Sequence, residues 1–142
     1  RDWYTIRMPI PRFTDDGLLP PGLHIAMIDE IVARFGGPGF QRRAIAESLV
    51  WAVHAARQAG ILRFVIDGSF VDSKAEPNDV DCVLLLGRDY PRDAQAARAI
   101  EEGFPYVQMI SFEEPRDFEE FLHGQFETDR RGRTRGLVEV RL

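Results

Sequence analysis

Two aspartates two residues apart, Asp79 and Asp81, open the apolar run Val80 to Leu86. Side chains alternate along a strand, so both carboxylates point to one face. Carboxylates placed this way repel each other and cost stability unless a cation lies between them. Upstream, Ile66-Asp67-Gly68-Ser69-Phe70 reads as a strand running into a Gly-Ser turn. Gly68 lets the backbone approach a ligand. The turn offers N–H groups and the Ser69 hydroxyl to phosphate oxygens. Lys74, in the loop between turn and aspartates, either touches a triphosphate or is solvated. Phosphoryl and nucleotidyl transfer need positioning and charge neutralisation more than covalent chemistry, and hard cations on carboxylates supply both. The set therefore suggests a site for a metal-bound nucleoside triphosphate. Singly the parts are weak, since most Gly-Ser pairs are plain turns and exposed aspartates at a strand start need no ligand. Their spacing gives them weight.

The bulk numbers fit one domain. The chain has 142 residues, 44% of them hydrophobic and 29% charged, with a net charge of −5. That charge argues against a general nucleic-acid binder, without excluding a local basic patch. The single cysteine, Cys82, has no internal disulfide partner, which favours a reducing compartment. No apolar run approaches the ~20 residues that span a bilayer, and no signal peptide is visible. A cytoplasmic protein is the expectation.

The elements that must position the site follow from periodicity. Residues 1–22 read as an arm: Pro9, Pro11, Pro20 and Pro21 forbid a long helix, while Trp3, Tyr4, Ile6, Phe13 and Leu18 are apolar enough to pack. Helices are expected over 23–35, ended by Gly36-Gly37-Pro38-Gly39, and over 40–59, ended by Gly60. Strands are expected at 61–66, 79–86 and 106–112. Residues 69–74 suit a short helix or turn, and Ala75-Glu76-Pro77-Asn78 a loop. In the second strand Val80, Cys82, Leu84 and Leu86 share one face, and Asp79, Asp81, Val83 and Leu85 the other. Both faces are apolar beyond Asp81, which places this strand inside a sheet. Helices at 93–103 and 115–123 and a closing hairpin, 126–128 with 137–142, complete the chain, with 129–136 as a basic tip. This order indicates an α+β or mixed α/β domain.

Apolar–Gly68–Ser69, a gap, then Asp79–Val80–Asp81 resembles the signature of the DNA polymerase beta-type nucleotidyltransferase superfamily. The resemblance implies a minimal nucleotidyltransferase fold, a mixed sheet flanked by helices. It implies that Gly68 and Ser69 hold the nucleotide phosphates and that Asp79 and Asp81 bind Mg2+ or Mn2+, with a nucleoside triphosphate as substrate. A longer string is similar to one small bacterial, stand-alone nucleotidyltransferase-like group with no substrate assigned. It comprises Leu19-Pro20-Pro21-Gly22-Leu23-His24, Asp67-Gly68-Ser69-Phe70-Val71, Glu76-Pro77-Asn78-Asp79-Val80-Asp81, and Thr128-Asp129-Arg130 with Gly136. The likeness runs over residues 18–140.

One departure qualifies it. Active members of the superfamily carry a third carboxylate on a later strand, and the matching strand here offers Gln108. Glutamine is a poorer metal ligand and no base. Either Glu139 or Glu113 substitutes, or the domain is a degenerate nucleotide-binding or protein-interaction module. Small superfamily members of that kind serve in toxin–antitoxin pairs. The acceptor (protein, RNA or small molecule) stays open, as does a partner protein or homodimer. Among lesser candidates, His24, His54 and His123 lack zinc spacing. His24 suits an anchor for the arm, His54 a helix surface, and Cys82 a buried structural role. Arg42 and Arg43 stand near a helix start, where the dipole disfavours cations, so solvation competes with an anionic partner. For Arg130, Arg131, Arg133 and Arg135 solvation is the default, with RNA or partner contact as the alternative.

Overall fold

A computed structural model describes residues 10–142. Five strands form one mixed sheet in the order β1-β5-β2-β3-β4. They are β1 (Leu23–Ala26), β2 (Ile61–Asp67), β3 (Val80–Leu86), β4 (Val107–Phe112) and β5 (Leu137–Val140). β2 pairs antiparallel with both β3 and β5, whereas β1 with β5 and β3 with β4 are parallel. Four helices accompany them: α1 (Ile28–Phe35), α2 (Phe40–Ala59), α3 (Ala94–Glu102) and α4 (Pro115–Phe121). The fold is α+β with a mixed sheet, as the order of elements predicts.

Local chemistry sets the helix ends. Asp93 accepts the Ala96 N–H through its side chain at 2.9 Å and starts α3. Gly60, at φ 92°, ends α2 and turns the chain directly into β2. The stripe Ile45, Leu49, Ala52, Val53 and Ala56 is buried along α2. It meets Phe64, Ile66, Val80, Cys82 and Leu84 on one face of the sheet, along with α1 and α3. The opposite face buries Val65, Val83, Leu85 and Leu137 beneath Phe118 of α4, Leu122 and Phe126. Side chains of this size contribute ~1.5–3 kcal/mol each when fully buried. The alternation expected along β3 is therefore realised, with both faces covered and the strand internal.

Three expectations fail. Residues 23–26 form β1 rather than the first turn of a helix, because β5 offers them a ladder from Leu137 to Val140. The closing hairpin is absent: 122–126 continue α4 as a π-helical turn, and only an isolated bridge joins Thr128 to Thr134. β5 instead lies between β1 and β2. Third, β3 starts at Val80, so Asp79 precedes the ladder. Of the arm, Trp3, Tyr4, Ile6 and Pro9 fall outside the described residues. Phe13 packs on Phe35 with ring centroids 6.3 Å apart, and Leu18 and Leu19 are buried.

Candidate functional site

The site forms where β2 ends and β3 begins. Cross-strand register pairs Asp67 with Asp81, and Asp81 with Gln108 on the edge strand β4. These three side chains stand in a row on the face that carries Val65 and Val83. Asp79 lies just before β3, close enough to act on Asp81 electrostatically. Burial pushes the Asp81 carboxyl up, the Asp79 charge adds to the rise, and Arg135 opposes it. The row opens into a cleft of about 270 Å³ lined by Asp67, Asp81, Gln108, Phe121, Phe126 and Arg135, among others.

Gly68 explains the spacing between turn and aspartates. It sits at φ 92°, and a Cβ there would meet Asp81 Oδ2 at 2.5 Å. Only glycine lets the turn lie against that carboxylate. Ser69 then begins a single 3-10 turn, Ser69–Val71. Lys74 is exposed at the rim of the following loop, with its N–H on Asp72 Oδ1 at 2.7 Å.

Arg42 holds this loop from behind. Its Nη1 donates to Phe35 O at 3.0 Å and Phe70 O at 2.7 Å. Its Nη2 donates to Ser69 O at 3.2 Å, Asp72 O at 3.1 Å and Lys74 O. The solvated reading of Arg42 is thus overturned, and its partners are carbonyls rather than an anion. Loop 69–74 has no ladder of its own, and one buried fork satisfies its inward carbonyls. Arg43, by contrast, is exposed.

Sequence reasoning also missed Asp67 and Arg135. Asp67 is 1% exposed. Arg135 Nη2 donates to its Oδ2 at 2.8 Å, and Nε lies 2.7 Å from Oδ1 but out of line for a hydrogen bond. Burial raises the Asp67 carboxyl to about 6, while Arg135 and the Gly68 N–H pull it back down. A carboxylate directly after the apolar run Phe64-Val65-Ile66 was the available signal, since a buried charge needs a partner. Which arginine answers it was not legible. Arg135 leaves the solvated tip, Arg133 pairs with Asp129 at 2.7 Å, and Arg130 and Arg131 are exposed.

The two substitute carboxylates do not join the site. Glu139 binds Arg63 through both oxygens, at 2.9 and 2.8 Å, and Glu113 is exposed beyond β4. Among the described residues, no group of three or more His, Cys, Asp or Glu is arranged to hold a metal ion. A hard cation held here would rest on Asp81 and the neighbouring Asp79, with substrate oxygens and water as its other ligands. The two aspartates do not fit a pair of cations, because Gln108 stands at the third position and Asp67 is taken by Arg135. His24 anchors the arm as expected, its Nε2 lying 2.8 Å from Pro20 O, and Cys82 is buried.

Residues 11–141 match a family of unknown function, DUF6932. The chain belongs to that family. No curated protein and no solved structure matches it. The DUF6932 match spans residues 11–22 of the arm, the Gly68 turn, the aspartates and β5 together, so the site lies wholly within the family's boundaries. No helix among the described residues is long and apolar enough to cross a membrane.

Proposed function

We propose that the chain is a Mg2+-dependent nucleotidyltransferase that moves a nucleoside monophosphate from a nucleoside triphosphate to a hydroxyl acceptor. The observation that carries this reading is the apposition of Gly68 and Asp81, too close for a Cβ at 2.5 Å. It sets the Ser69 turn, a source of donors for phosphate, against the Asp81 carboxylate, and nucleotidyl transfer uses phosphate donors beside a cation ligand. Asp79 and Asp81 hold Mg2+ or Mn2+, and Gly68 and Ser69 face the β- and γ-phosphates. Lys74 adds positive charge at the rim. When bound, the cation neutralises phosphate charge and makes the acceptor hydroxyl a better nucleophile. The acceptor oxygen bonds to the α-phosphorus as the bond to the α–β bridging oxygen breaks. Pyrophosphate leaves with that electron pair, and the hydroxyl proton passes to water. The acceptor is a protein, an RNA or a small molecule, and the setting is cytoplasmic.

A rival reading is favoured by Gln108 beside Asp81 and by Phe40 and Trp51, which are 75% and 68% exposed on α2. It makes the domain a catalytically degenerate module that binds nucleotide or a partner protein, as in a toxin–antitoxin pair. Labelled nucleoside triphosphates with Mg2+ separate the two. Under the enzyme reading, Asp79→Ala and Asp81→Ala each lower label transfer on the order of 10³-fold. Wild-type transfer no greater than that of the variants, across protein, RNA and small-molecule acceptors, overturns it.

A further inference from the structure

We propose that Arg135, braced by Asp67, supplies the second positive charge of the site, so that each bound triphosphate brings only one divalent cation, on Asp79 and Asp81. This rests on the nucleotidyltransferase reading and specifies its electrostatics. A two-cation centre needs carboxylates that bridge both ions. By register Asp67 is the carboxylate nearest that role, directly across from Asp81 on the neighbouring strand. Its side chain is only 2% exposed and carries the Arg135 guanidinium at 2.7 and 2.8 Å. A second cation there would have to displace a fixed, permanently charged group.

Arg135 is held in place by its backbone. Its N–H donates to Glu127 O at 2.8 Å, the Gly136 N–H to Leu19 O at 3.0 Å, and the Leu137 N–H to Gly22 O at 2.9 Å. Gly136 passes so close to Pro20 O that no Cβ fits, with His24 Nε2 and Leu19 Cβ each 2.9 Å from where one would lie. Leu19 and Gly22 of the arm therefore fix the backbone around Arg135 from one side, and Glu127, just past the π-helical turn, fixes it from the other. A flexible surface arginine would have none of these restraints.

The carboxylates Asp67, Asp79 and Asp81 outnumber the Arg135 guanidinium, so the row favours a cation. Arg42 lies behind the loop, with its donors spent on carbonyls. A guanidinium has five N–H donors. Those of Arg135 not turned to Asp67 are available to the cleft it lines. There they meet phosphate oxygens in the planar fork that suits them. Arg135 thus contacts the pyrophosphate portion and stabilises its charge as it leaves.

The test is a count of Mn2+ by electron paramagnetic resonance, on the full chain with a non-hydrolysable α,β-methylene triphosphate. One uncoupled Mn2+ per chain is expected. Two ions with an exchange-coupled spectrum overturn the inference while sparing the nucleotidyltransferase reading. No Mn2+ bound with the nucleotide overturns both. Arg135→Ala should weaken the triphosphate analogue by ~10- to 100-fold, with monophosphate affinity changed less than about threefold and Arg135→Lys regaining part of the loss. Equal losses for triphosphate and monophosphate, or none for either, overturn the role of Arg135. Should Arg135→Ala not fold, the wild-type count decides.

Discussion

Two charged clusters share one face of β2, one at Arg63 and one at Asp67, each two residues from Val65. At one end Arg63 binds Glu139 through two hydrogen bonds and Glu119 through a third at 2.8 Å, with its guanidinium 4.9 Å from the Phe118 ring centre. At the other end the Arg135 guanidinium binds Asp67, with one donor–acceptor pair out of line, and acts on Asp81, beside which Asp79 lies. Both set one arginine among carboxylates. Donor count and cover differ. Arg63 directs donors to two carboxylates under α4, and those hydrogen bonds hold its charge firmly. Both clusters have carboxylates in excess, but Arg63 hydrogen-bonds both of its carboxylates, whereas the second cluster opens into a cleft. An ion group whose carboxylates are all hydrogen-bonded is scaffolding, whereas one that leaves carboxylates facing a cleft is poised to take up a cation.

Breaking the Arg63 cluster tests whether the two are independent. Arg63→Met should cost ~3 kcal/mol, since it strands two partly buried carboxylates. Urea denaturation measures the loss, and Mn2+ affinity at the other cluster should not change. A parallel fall in Mn2+ affinity would show the clusters to be coupled through β2.

A smaller effect is expected from Gly68→Ala, ~1–2 kcal/mol for a side chain at φ 92°. Its new Cβ pushes Asp81 aside, so Mn2+ binding should weaken here although it was untouched by Arg63→Met. Stability and metal titrations on the same variant report the two effects separately.

A further change concerns pH. The Asp67 carboxyl is raised from 3.8 to about 6, chiefly by burial. A raised carboxyl contributes stability that is fully present below its ordinary value and is lost as pH rises through the folded value. Wild type should therefore lose stability relative to Asp67→Asn between pH 4 and 6, with a slope of at most ~1.4 kcal/mol per pH unit. Parallel melting curves for the two proteins across that range would refute the shift.

Much of the architecture was legible locally. The 20-residue stripe of α2, the branched runs of β2 and β3, and the stop at Gly60 each carry their own periodicity or backbone requirement. The pairing of Gly68 with Asp81 was legible as a spacing, and the fold supplies its reason in a contact that excludes a Cβ. β1 was not legible, because Leu23–Ala26 is a strand only through a ladder to Leu137–Val140. The true roles of Arg42 and Arg135 were hidden for the same reason: their partners lie 7 to 68 residues away in the chain.

By itself the sequence determined that a Gly-Ser turn and two aspartates would share one strand end, because alternation and turn chemistry act over a few residues. Only the tertiary structure decided which charges face those aspartates. Ion pairing depends on where distant segments come to rest, and here β5 and the arm bring Arg135 to Asp67 while Arg63 draws Glu139 away.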